Sequence, residues 1–179
     1  MLHIVVPASE RYDEINNLFI NTKEQTLNLE HSLVSISKWE MKWHKPFLST
    51  NDKTKEEIKS YVKCMTLTQN VNPEIYDSLS DENYDEIKEY IEAPMTATWF
   101  SESKKGGGRD IITSELIYYW MISLQIPFEC QKWHLNRLLT LVRVCNEKNA
   151  PSKKMSRQAI LQRNKALNDS RRARLHTKG

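Results

Sequence analysis

The stretch IITSELIYYWMISLQIPFECQKWHLNRLLTLVRVC (Ile111–Cys145) decides how the chain is read, because it is the most apolar part of an otherwise polar sequence. From Leu116 to Phe128 no residue is charged, and Tyr118, Tyr119, Trp120, Met121 and Phe128 crowd into the run. Those 13 residues are too few for a bilayer, which takes about 20. Gln125 and Pro127 also interrupt them, and Glu115 and Glu129 bracket them. The stretch therefore reads as a core helix pair and no membrane partner is expected. Thr113 is placed as an N-cap with Glu115 in the first turn, where the helix dipole favours an anion. Pro127 lacks an amide hydrogen, so it ends the first helix and suits the first turn of the second. In that second helix Leu135, Leu138, Leu139, Val142 and Cys145 recur at three- and four-residue spacing, which defines one apolar stripe. The expected centre is a helical hairpin over 113–148, buried on most sides, with the other helices packed around it.

Working outward, the N-terminal segments are less regular. LHIVV (Leu2–Val6) reads as a short strand ended by Pro7, and TLNLEHS (Thr26–Ser32) as a second strand or an extended connector. Tyr12, Ile15, Leu18 and Phe19 fall at helical spacing, in a helix weakened by three asparagines. SLVSISKWEMKWHKPF (Ser32–Phe47) places Leu33, Ile36, Trp39 and Trp43 on one helical face before Pro46. Two tryptophans on one short helix either fill the core, where Trp is usually buried, or leave a ring for a partner, as aromatic anchors do. On the second alternative Trp39, Trp43, Phe47 and Trp133 are the candidate partner-binding aromatics. Thr54-Lys-Glu-Glu57 is a capping box opening a helix with Ile58, Tyr61, Val62 and Met65 inward. Asn72-Pro73 starts a short helix, and Ser80 caps another whose inner stripe is Tyr84, Ile87, Tyr90 and Ile91. MTATWF (Met95–Phe100) suggests a short extended segment. The glycine run in SESKKGGGR matches neither phosphate-binding spacing, so it reads as a linker.

Composition bounds the class. The chain has 179 residues, 27% charged and 39% hydrophobic, enough for one domain with a real core. Four glycines argue against a turn-rich β-barrel. The fold expected is mainly α: a single helical body over residues 1–150, with one or two short N-terminal strands, followed by a basic C-terminal helix or tail over 151–179. HIVV is too short, and lacks the basic leader, for a secretion signal. Cys64, Cys130 and Cys145 are an odd number spread over helical segments, which suits reduced thiols in a cytoplasmic protein.

Charge is divided along the chain. Residues 151–179 hold nine Lys or Arg against one acid, Asp169, a net of +8; the first 150 hold 17 basic against 22 acidic side chains, a net of −5. Such asymmetry calls for an electrostatic partner. The basic residues at stake are Lys153, Lys154, Arg157, Arg163, Lys165, Arg171, Arg172 and Arg174. Ser152 or Ser156 caps their helix, with Ile160, Leu161 and Leu167 on a thin apolar face and SRRARLHTKG (Ser170–Gly179) disordered until bound. Seven acids between Asp77 and Glu92 are a solvated face or the counterpart of this tail.

Reactive constellations are weak. Cys130 and His134 lie one helical turn apart, but a structural zinc site needs four ligands and no second pair has comparable spacing. Nothing supplies an orienting third group or an oxyanion site for the same pair. No catalytic residue, metal or cofactor is expected.

SLVSISKWEMKWHKPFL (Ser32–Leu48), CMTLT (Cys64–Thr68) and IPFECQKWHLNRLLTLVRVCNEKNAP (Ile126–Pro151) resemble the tail assembly chaperones of long-tailed bacteriophages, proteins encoded beside the tape-measure gene. The resemblance covers most of the chain, and its motifs are structural rather than catalytic. It implies a binding protein in the host cytoplasm that coats the tape-measure protein, gives way to tail-tube subunits and is absent from the mature virion. It assigns no role to any single residue. A structural tail or neck protein, and a nucleic-acid-binding protein using the basic tail, are the competing expectations. Against the latter, the body is acidic and the tail has no aromatic residue to stack on bases.

Overall fold

Leu2–Val6 (β1) alternates buried Ile4 and Val6 with exposed His3 and Val5, the two-residue period of a half-buried strand. It pairs antiparallel with Gln25–Leu29 (β4), setting Leu2 opposite Leu29 and Ile4 opposite Leu27. A computed structural model describes residues 1–13, 17–98, 100, 111–150 and 156–176. Ile15, Trp99, the glycine run and Lys153 and Lys154 lie outside the described residues. The chain forms two compact units, Met1–Glu147 and Lys148–Gly179. Among the described residues it is mostly helical, with six α-helices.

Between β1 and β4 the structure departs from the expected weak helix. Ser9–Asp13 (β2) and Leu18–Thr22 (β3) form an antiparallel hairpin instead. Asn17 takes a φ of 52°, a left-handed conformation that asparagine tolerates and a helix cannot hold. Tyr12 and Phe19 are opposite one another across the hairpin, their ring centroids 5.0 Å apart. Helical spacing was here a coincidence of a cross-strand pair. Among the described residues four short strands, in two two-stranded sheets, thus stand where one or two were expected.

The central helix is Leu33–Trp43 (α1), which packs against Lys55–Met65 (α2), Ser114–Ser123 (α4) and the 3-10 turn Phe128–Lys132. Its Leu33, Ile36 and Trp39 are fully buried. Ser32 caps it, and His44, at φ 54°, ends it two residues before Pro46. The Thr54–Glu57 capping box opens α2 as expected. Tyr61, Val62 and Met65 point inward, but Ile58 is 40% exposed and belongs to the outer edge of the stripe. The 3-10 turn Pro73–Asp77 buries Ile75 and Tyr76, and Ser80 caps Asp81–Glu92 (α3), which packs on β1 through buried Ile87 and Tyr90. Residues 95–98 form no strand.

The Ile111–Cys145 stretch folds as α4, the 3-10 turn and Leu135–Asn149 (α5). Thr113 caps α4. The second α-helix begins at Leu135 rather than near Pro127, because the intervening backbone is used elsewhere. The His134 backbone bridges Ser32, and the Leu135 amide donates to the His31 carbonyl at 2.8 Å. Leu135, Leu138 and Val142 are buried as the stripe requires, with Leu139 and Cys145 half-buried. Burial on most sides does not hold for α4, which buries Ser114, Ile117 and Met121 and exposes Tyr119 and Ile122.

In the second unit Ser156 caps Arg157–Leu175 (α6). Ser170–Leu175, expected to be disordered, continue this helix.

Candidate interaction surfaces

The four candidate aromatics divide by burial. Trp39 is fully buried, and its indole N–H donates to the Glu57 carbonyl at 2.9 Å. Phe47 is also buried, 5.1 Å from the Trp39 ring and 4.0 Å from Tyr61 between centroids. Both rings are core, so the partner-binding assignment of Trp39 and Phe47 is withdrawn; a large ring gains more from enclosure than from a surface contact. Trp43 and Trp133 are half-buried. The Lys42 ammonium lies 5.4 Å from the Trp43 ring and the Arg137 guanidinium 4.2 Å from that of Trp133. Each cation covers a face that would otherwise meet water.

One buried carboxylate holds this region in place. Glu40, on α1, accepts the Phe47 amide at 2.8 Å through Oε1 and the Ser114 amide at 2.8 Å through Oε2. Ser114 is the first residue of α4, whose N-terminal amides lack helical acceptors. The contact satisfies an orphan donor and sets a negative charge at the positive end of the helix dipole. It also ties the first residue of α4 to α1.

The opposite side of α4 is apolar and exposed. Tyr119 and Ile122 are each 62% exposed, and Phe128 in the following turn is 52% exposed. Tyr118 connects them: it lies one turn from Ile122, its ring centroid is 6.4 Å from that of Phe128, and its hydroxyl donates to Gln131 at 2.9 Å. Surface clusters of this kind mark protein contacts. The sequence carried the signal. Once Ile117 and Met121 turn inward, a helix with Glu115 as its sole charged residue must present apolar residues outward as well.

A buried polar cluster gathers around His31 and His134, and it is structural. His31 Nδ1 lies 2.5 Å from the Tyr61 hydroxyl, and the His31 and His134 rings meet edge to face at 5.1 Å. The Tyr90 carbonyl can only accept, so His134 donates to it from Nε2 at 2.9 Å, and its unprotonated Nδ1 accepts the Asn136 amide. The ring is therefore neutral, with its proton on Nε2. Burial pushes His31 down to about 3, helped by the proximity of His134. Burial also lowers His134, against the opposing pull of the Tyr90 carbonyl and Glu30. The Tyr90 hydroxyl donates to Glu30 at 2.7 Å, and burial with that bond raises its ionisation well above the usual range. With both nitrogens of His134 committed, the Cys130–His134 pair has no imidazole to offer a metal. Among the described residues no three His, Cys, Asp or Glu side chains converge as a metal site would need. No helix among them is long and apolar enough to cross a membrane.

The charged elements are exposed. Arg157, Arg163, Lys165, Arg171, Arg172 and Arg174 all lie on α6, which buries no residue. On α3, Asp81, Glu82, Asp85, Glu86, Glu89 and Glu92 are exposed, with Lys88 among them. No protein-family model, curated protein or solved structure matches the chain.

Proposed function

We propose that the chain is a tail assembly chaperone of a long-tailed bacteriophage. It binds the tape-measure protein in the host cytoplasm without chemical turnover and keeps it soluble until tail-tube subunits polymerise and take its place. The reading rests on the resemblance of Ser32–Leu48, Cys64–Thr68 and Ile126–Pro151 to that family. The structural observation that carries it furthest is the apolar face formed by Tyr118, Tyr119, Ile122 and Phe128. An amphipathic helix docks on a surface of this kind through side chains spaced three or four residues apart. The tape-measure protein, long and helical, offers such a face repeatedly along its length. Rigid aromatic rings bind with little loss of side-chain entropy, which suits many separate contacts on one filament.

The test is co-expression with the tape-measure protein and recovery of the complex from the soluble fraction. Tyr119→Asp with Ile122→Asp should remove binding while the thermal unfolding midpoint of the free chain stays within a few degrees, because both sites are exposed. Undiminished recovery of the complex would sink the reading of this face.

A further inference from the structure

Helix α6 has no buried residue, yet Ile160, Leu161, Leu167 and Leu175 sit on it between 44% and 63% exposed. At 100° per residue the four fall within an arc of about 120°, enough for a helix-packing face. Its 19 residues extend about 28 Å, and in proteins most helical stability comes from packing an amphipathic face rather than from propensity. The helix also carries six Lys or Arg against Asp169, a net of +5, and two of them, Arg157 and Arg171, fall within that same arc.

The outward face of α3 is its electrostatic complement. Six exposed acids against Lys88 give a net of −5, while Ile87 and Tyr90 on the inward face are buried. Tyr84 and Ile91 are partly exposed at the margins of the acidic face. They are seven residues apart, the same two-turn spacing as Ile160 and Leu167 on α6.

We propose that α6 of one copy docks on α3 of a second copy, and reciprocally, so that two chains exchange their C-terminal helices. The interface is isologous: each copy supplies one basic helix and one acidic face. This goes beyond the tape-measure reading and does not depend on it. A second copy fits better than a nucleic acid. The balancing charge is on this same chain, α6 has no aromatic residue for base stacking, and phosphates offer nothing to the Ile160–Leu167 stripe. Exposed ion pairs are individually weak and screened by salt, so the assembly is reversible and salt-sensitive.

The experiment is sedimentation of the full chain at protein concentrations from about 1 to 100 µM, in about 50 mM and about 500 mM salt. Three full-length forms are compared after nuclease treatment: the wild type, Asp85→Lys/Glu86→Lys/Glu89→Lys, and Arg171→Glu/Arg172→Glu/Arg174→Glu. All changed sites are exposed, and circular dichroism confirms that each form is folded. The wild type should dimerise at low salt and dissociate at high salt. Each reversed form alone should dimerise at least about tenfold more weakly. Mixed one to one, the two should recover association as a heterodimer, because each then offers the sign the other needs. A monomeric wild type at every concentration, association that nuclease removes, or reversals that leave association unchanged would each overturn the proposal. So would failure of the mixture to associate.

Discussion

The two buried histidines make stability depend on pH over a window that carboxylates leave clear. In the unfolded chain a histidine binds its proton near pH 6.5. In the fold His31 does so only at about 3, because burial excludes the charged ring. Below about pH 6.5 the unfolded state therefore holds more protons than the native one, and acidification draws the chain toward it. The stability is fully present above about 6.5 and is lost as pH falls toward 3. One pH unit costs about 1.4 kcal/mol per fully shifted group, so moving from pH 7.5 to 5.0 removes about 2 kcal/mol through His31 alone. His134, lowered for the same reason, adds a loss of the same sign. Glu57 acts lower on the scale: the Lys45 ammonium, 2.6 Å away, and the Thr54 amide hold its carboxyl below the usual value, so its contribution is lost only under more acid conditions. Urea titrations followed by tryptophan fluorescence at pH 7.5, 6.0 and 5.0 measure the effect. The midpoint should fall steadily, and His31→Gln, which cannot ionise, should be less stable at pH 7.5 but show a shallower slope. A wild-type change under about 0.5 kcal/mol across the window would refute the neutral buried pair.

Leu138→Ala should cost about 2–5 kcal/mol in the same assay, since Leu138 is fully buried; Leu67→Ala, at an exposed site, should stay within about 0.5 kcal/mol. Glu40→Ala should destabilise by about 2–4 kcal/mol, because it leaves the Phe47 and Ser114 amides without acceptors; a loss below about 1 kcal/mol would mean that water replaces the carboxylate. Protein purified without added metal should contain no stoichiometric zinc by elemental analysis, and finding it would overturn the structural reading of Cys130 and His134.

Much of the fold was legible where short-range rules suffice. The Thr54–Glu57 box, the caps at Ser80 and Thr113 and the Leu135–Leu138–Val142 stripe each need only spacing and residue type. The β2–β3 hairpin was hidden because Tyr12 and Phe19 satisfy a helical and a cross-strand reading equally, and only pairing decides between them. The late start of α5 was hidden because it depends on the His31 carbonyl, more than 100 residues away in the chain. Trp39 and Phe47 could not be told from surface anchors, since an aromatic ring suits either place. The exposed side of α4 was the reverse case: its composition was plain, but which side turns inward depends on packing against another helix, α1.

That helix, α1, is completed on a delay. Trp39 and its neighbours meet α2 within some 20 residues, whereas α4 and the turn at Phe128 follow about 75 to 90 residues later. At the usual 5–20 residues per second of synthesis, one side of α1 stays uncovered for about 4 to 18 s on every new chain. Through that interval the nascent protein carries an apolar helix side that only its own later residues can cover. Crowded polysomes and high expression temperatures should therefore penalise its yield more than the stability of the finished molecule would suggest.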